Sequence, residues 1–238
     1  MGEPAHDNTP AGKRRYRDVR LWSHGRSAKM RGLRGEYIAE KWRWRRFYRR
    51  FYEIQFLTFI RKKYGNGGTY IDVGANIGNH TAFFAAICRA DRVVAIEPDA
   101  LNFELLSYNI AANNFTGVEA HRCGLSDSPA RARVDQVDES NRGMGVVIID
   151  EDGDVDLVRM DDLVTGDVKL IKIDVEGHGL AVLNGGLETL RREKPIIAVE
   201  IAPEPLESFE ALLEPMGYRN VGRFNFTPTY VFEPNDRS

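Results

Sequence analysis

Cysteine is scarce in this 238-residue chain: Cys88 and Cys123 are the full complement, at a separation that no zinc or iron–sulfur site uses. A disulfide framework and a cysteine-built metal centre are both excluded, and the pair reads as small apolar filler in a reduced setting. Long apolar runs are missing too. No stretch approaches the ~20 residues that a membrane-spanning helix needs. The N-terminal region is polar and arginine-rich with no apolar centre, unlike a secretory signal. A cytoplasmic location is the resulting expectation. Internal repeats and low-complexity tracts are absent, and nothing in the sequence bears on oligomeric state.

Charge of one sign is scarce only on average. The formal net charge of −2 divides into 18 Lys/Arg against 6 Asp/Glu over residues 1–64, and 15 against 29 over residues 65–238. A basic arm therefore precedes an acidic body. Residues 1–12, polar with Pro and Gly, read as a disordered tail. Residues 13–64 read as a basic, aromatic-rich helical extension, with the helical pattern clearest from Gly35 to Tyr64. There Arg43, Arg45, Arg46, Arg49 and Arg50 interleave with Trp42, Trp44, Phe47, Tyr48 and Phe51. Such a segment could pack on the body as a lid with its arginines outward, grip nucleic acid through phosphates and stacking, or lie on an anionic membrane.

After Gly68 the pattern changes. Short β-branched runs (69–73, 92–96, 118–121, 168–173 and 196–199) alternate with amphipathic stretches (79–89, 100–113, 179–191 and 205–216). That alternation predicts a mostly parallel sheet with helices on both faces. Residues 130–159 break the rhythm and read as additional β-structure or a long excursion. Residues 218–224 and 227–232 read as an antiparallel hairpin closing the sheet edge. The acidic run Asp150–Asp156 superficially resembles a calcium loop, but Val155 and Asp161 stand where an EF-hand needs Gly and Glu, so a solvated turn is expected and no metal site.

Ligands of open α/β sheets bind beyond the carboxyl ends of the strands. Four of these strands end in a carboxylate there: Asp72, Glu97, Asp174 and Glu200. The first turn, Asp72-Val73-Gly74-Ala75-Asn76-Ile77-Gly78, opens a helix, and Glu97 follows Gly78 by 19 residues, where an acidic group meets ribose hydroxyls. Gly74 and Gly78 would let a flat ligand approach the backbone, and Asn76 tolerates a left-handed conformation. The glycine spacing is wrong for a dinucleotide, and Asp72 would repel phosphates. S-adenosylmethionine (SAM), carrying an ammonium and a sulfonium, suits the same loop better.

Three segments, YIDVGANIGNHTAFFA, VVAIEPDALNFELLSYNIAANN and DDLVTGDVKLIKIDVEGHGLAVLNGGLETLRREKPIIAVEI, together resemble the FkbM-type methyltransferases over about residues 68–201. The resemblance implies a Rossmann-like class I fold and SAM contacts from Asp72, Gly74, Asn76 and Gly78. It also implies a ribose contact from Glu97 beside Pro98, and an adenine-side contact from Ser126 and Asp127. Relatives mostly methylate hydroxyls of sugars and natural products, so the implied acceptor is a hydroxyl of a sugar, glycoconjugate or secondary metabolite. An RNA acceptor gripped by residues 13–64, and a SAM-fold binding protein without catalysis, are the alternatives. The family's D-V-E-G-x-E stretch reads Asp174-Val175-Glu176-Gly177-His178-Gly179 here, with the last acidic residue replaced. Candidate catalytic groups at this rim are Asp174, Glu176, His178 and Glu200, any of which could take a proton from a hydroxyl. Lys172, on a buried strand, reads as an ion-pair partner.

Overall fold

The computed structural model describes residues 16–34, 37–44, 50–136, 144–201 and 205–235. The expected tail (1–12) and the side chains of residues 42–49 lie outside this set.

The sheet follows the alternation of the sequence. Strands β3 (Thr69–Val73), β4 (Arg92–Ile96), β5 (Val118–His121), β10 (Val168–Ile173) and β11 (Ile196–Glu200) run parallel, with β12 (Tyr218–Phe224) and β13 (Thr229–Pro234) as an antiparallel hairpin at one edge. The order is β12-β13-β11-β10-β3-β4-β5. Because successive strand residues point to opposite faces, Tyr70, Val93, Leu170 and Ile196 enter one core layer. Ile71, Val94, Ile171 and Ile197 enter the other. These side chains are fully or almost fully buried, each contributing roughly 1.5–3 kcal/mol of transfer free energy. Helix α2 (Ile54–Tyr64) and helix α3 (Asn79–Phe83), which runs on as a wider π turn to Cys88, cover the first face. Helices α6 (Gly179–Asn184), α7 (Leu187–Glu193) and α8 (Leu206–Leu213) cover the second. Helix α4 (Ala100–Ala112) packs Leu106 on Ala75 and Ala95.

Of the two readings of residues 130–159, the described residues bear out additional β-structure. Strands β7 (Ala130–Gln136), β8 (Gly145–Ile149) and β9 (Val155–Val158) join β6 (Gly124–Leu125) in a separate sheet. The acidic run is the turn between β8 and β9, where the Asp152 N–H donates to the Asp150 carboxylate at 3.1 Å. Both cysteines are buried and free, and burial raises their thiols to about 12 for Cys88 and about 11 for Cys123, as inert filler requires.

The arm departs from expectation. Instead of helix, residues 16–33 form a hairpin of β1 (Tyr16–Ser23) and β2 (Arg26–Leu33). His24 and Gly25 both have positive φ, 48° and 73°, as a type I′ turn needs. Its inward residues Leu21, Ala28 and Met30 join the core layer that holds Phe83 and Phe84. Two side-chain amides of α4 fix it: Asn113 brackets the backbone of Lys29, and Asn109 brackets that of Arg31. The helix expected over 35–64 is likewise interrupted, as α1 (Tyr37–Trp44) and α2 with non-helical backbone at 50–53 between them. The side chain of Asn79 captures the peptide of Tyr52 there, and that tertiary contact prevails over local propensity.

Candidate functional site

A cavity of about 300 Å³ opens beyond the carboxyl ends of β3, β4, β10 and β11, at the small end of ligand cavities. The loops after these strands supply Gly74, Ala75 and Asn76, then Glu97, Pro98 and Asp99, then Asp174, Glu176 and His178, and finally Glu200. All four catalytic candidates line it. Six carboxylates line the wall (Glu53, Glu97, Asp99, Asp174, Glu176 and Glu200), with neither Lys nor Arg among the described lining residues. Such a wall suits a cation and repels phosphate.

The first loop is built from within. Asn76 has φ 50°, the left-handed conformation expected of it, and its side chain accepts from the Ile77 N–H at 2.6 Å. Gly74 lines the cavity, and the packing of the loop itself also requires both glycines. A Cβ on Gly74 would stand 1.9 Å from the carbonyl oxygen of Asp174, and one on Gly78 would stand 2.8 Å from Leu106. Close approach of the loop to its own neighbours, at positive φ, requires both glycines. Gly78 does not line the cavity.

Glu97 is 5% exposed and accepts the backbone N–H of Asn76 on one oxygen and that of Asp99 on the other, both at 2.8 Å. Burial nevertheless raises its carboxyl to about 7, against those hydrogen bonds. Asp72 lies deeper than expected. It is fully buried and outside the cavity wall, accepting from the Thr81 hydroxyl at 2.6 Å, with Lys172 3.6 Å away. A direct ligand contact by Asp72 is therefore replaced by support of the loop from beneath. Lys172 is the ion-pair partner foreseen, and it also donates to Asp174 at 2.9 Å.

At the acidic rim, burial and the charge of Asp174 raise Glu176, and raise Glu200 further, to about 8. His178 Nε2 lies 3.1 Å from the Ser126 hydroxyl. Ser126 and Asp127 do not themselves line the cavity; Asp127 instead holds the hydroxyl of Ser128.

Sequence reasoning missed the far wall. Tyr37 and Ile38 of α1, Tyr52 and Glu53 before α2, and Asn79 and His80 of α3 face the cavity, with Asp99, Asn102, Val134, Met144, Gly145, Val147 and Thr227. The Tyr37 and Tyr52 rings meet edge to face at 6.0 Å, and His80 Nε2 pairs with Glu53 Oε2 at 3.0 Å. Asp99 was legible as the N-cap of α4. The arm residues carried no local signal, because their place depends on how the arm folds back.

Comparison with known proteins agrees with this geometry. The model of the methyltransferase FkbM domain matches residues 72–220. Methyltransferase 1 of Beauveria bassiana is 28% identical over 56% of this chain and 67% of its own length. The hexuronic acid methyltransferase AglP of Haloferax volcanii is 28% identical over 67% of each chain. Among solved structures, the methyltransferase FkbM of Methylobacillus flagellatus KT superposes with a TM-score of 0.54 at 21% identity, over 72% of this chain. This chain spans 44% of that protein. Fold, strand-end cavity and family match converge: the chain belongs to the FkbM family of methyltransferases.

Proposed function

We propose that the chain is a SAM-dependent O-methyltransferase acting on an uncharged hydroxyl of a sugar, glycoconjugate or secondary metabolite. The observation that carries this reading is the wall of six carboxylates with neither Lys nor Arg among the described lining residues. It complements a cofactor bearing an ammonium and a sulfonium, and it opposes both a dinucleotide and a phosphate-rich acceptor. SAM supplies an electrophilic methyl group when bound. The chain's residues orient the partners and manage one proton. Gly74, Asn76, Glu97 and Pro98 form the cofactor side, with Glu97 accepting from ribose hydroxyls. Orientation of this kind can lower a barrier by ~7–11 kcal/mol.

On the acceptor side Glu200 is the proposed base. A carboxylate raised to about 8 by burial and by Asp174 takes a hydroxyl proton more readily than an ordinary glutamate. Asp174 stands beside it, held by Lys172 at 2.9 Å. Glu176 and His178 stand at the same rim, and the Ser126 contact orients the His178 ring. The acidic residue replaced by Gly179 leaves this rim with its other carboxylates, so a non-catalytic binding protein gains no support. AglP is a hexuronic acid methyltransferase; the acidic wall here favours a sugar without that carboxylate.

An RNA acceptor draws support only from the arm's positive charge, and several of the described arginines are engaged at home. Arg31 forms a two-point pair with Asp18 and stacks on Tyr108, Arg26 donates to the Ala86 carbonyl, and Arg17 pairs with Glu40. The test is transfer of a labelled methyl group from SAM across panels of glycans, hydroxylated metabolites and RNA, with a chelator control. Label in glycans or metabolites is the expected outcome. Label confined to RNA would contradict the reading.

A further inference from the structure

Glu53 enters the cavity from outside the sheet. It precedes α2 with φ 54°, a left-handed conformation that a glutamate keeps only where its surroundings hold it. Those surroundings are explicit. The Asn79 side chain accepts from the Tyr52 N–H at 3.0 Å and donates to the Tyr52 carbonyl at 3.2 Å, and His80 Nε2 lies 3.0 Å from Glu53 Oε2. The side chains of Glu53 and His80 are 8% and 7% exposed. Asn79 and His80 open α3 directly after the glycine loop. The loop on the cofactor side therefore also fixes the position of Glu53.

A contact serving the fold alone has no need to face a cavity, yet both residues line it. Glu53 also lies near enough to Lys172 and Glu200 for its charge to act on both. It thus stands by the β10 and β11 ends, whereas Glu97 and Asp99 follow β4. Glu53 and Glu97 stand at different strand ends of the cavity.

We propose that Glu53 is a cofactor-binding residue whose carboxylate receives the ammonium group of SAM, so that the N-terminal segment completes the site as well as covering it. This rests on the SAM reading above. An ammonium presents three donors and no acceptor, and a buried carboxylate already fixed by His80 binds it without reordering, as a charge-assisted hydrogen bond. The nucleoside end then falls to Glu97.

The experiment is calorimetric titration of the full chain with two probes. S-adenosylhomocysteine carries the ammonium; 5′-methylthioadenosine keeps the nucleoside thioether and lacks the amino-acid end. Glu53→Gln should weaken S-adenosylhomocysteine roughly ten- to a hundredfold and leave methylthioadenosine unchanged, which also shows that the variant is folded. Glu97→Gln should weaken both probes. Equal losses for the two probes in Glu53→Gln, or no loss for either, would overturn the assignment while leaving the cofactor reading intact. Wild-type protein that binds neither probe would overturn the cofactor reading itself, and this inference with it.

Discussion

The ammonium of Lys172 lies 2.9 Å from the carboxylate of Asp174 at the end of the same strand, and 3.6 Å from the fully buried Asp72 on the neighbouring one. Burial alone would lower the lysine's pKa, but the charges of Asp174 and Asp72 outweigh it and raise the pKa. Lys172 is thus the countercharge that lets two carboxylates sit under one loop. Replacing it with methionine leaves Asp72 buried and uncompensated, at a cost of about 3–5 kcal/mol. Thermal unfolding of Lys172→Met should fall by roughly 10 °C, and adding Asp72→Asn should recover much of the loss. An unchanged midpoint in the single variant would contradict this role.

Glu200 predicts two opposite pH responses. A base must be deprotonated, so kcat/KM should rise as the pH increases through about 8, and Glu200→Gln should lose that limb along with most of the activity. Stability should move the other way. The folded-state pKa is raised from the ordinary 4.5 to about 8, so the native state holds this proton longer than the unfolded chain. Its contribution is full below pH 4.5 and disappears as the pH rises to about 8. Urea titrations across that window should show a flatter decline for Glu200→Gln than for wild type.

Glu97 supports its own loop as well as facing the cavity. Glutamine can accept only one of the two backbone N–H groups that Glu97 now satisfies, so Glu97→Gln should cost about 1–3 kcal/mol in chemical denaturation. Nucleoside affinity should fall in wild type as the pH drops below about 7, where the carboxyl gains its proton. That pH dependence should disappear in the variant.

The two kinds of glycine can be separated by substitution. Gly74→Ala combines φ 73° with a Cβ 1.9 Å from the Asp174 carbonyl, which must push β3 and β10 apart. Gly166→Ala also has positive φ, but nothing lies within 4 Å of its Cβ. Denaturation should show about 1 kcal/mol lost at Gly166 and several times that at Gly74. Equal losses would mean that conformation, and not contact, fixes Gly74.

The sequence made the strand ends legible because a short, continuously apolar β-branched run and a terminal carboxylate are both local signals. Asn76 was legible for the same reason, its conformation following from its own side chain. The β1–β2 hairpin also left a trace, in Val19, Leu21, Ala28 and Met30 alternating about His24-Gly25. Arg20 and Lys29 at the intervening positions made it read as part of the basic helical extension. Asp72 was misplaced because a residue's position beside a glycine loop does not reveal whether it points to ligand or core. Tyr37, Tyr52 and Glu53 were illegible. Their approach to the cavity is set by Asn79 and His80, tens of residues away.

Calorimetric titration of the full chain with SAM decides whether this cavity holds the cofactor. One site of micromolar-range affinity is expected, largely lost in Glu97→Ala. Absence of binding, or equal binding by the Glu97→Ala variant, would contradict it.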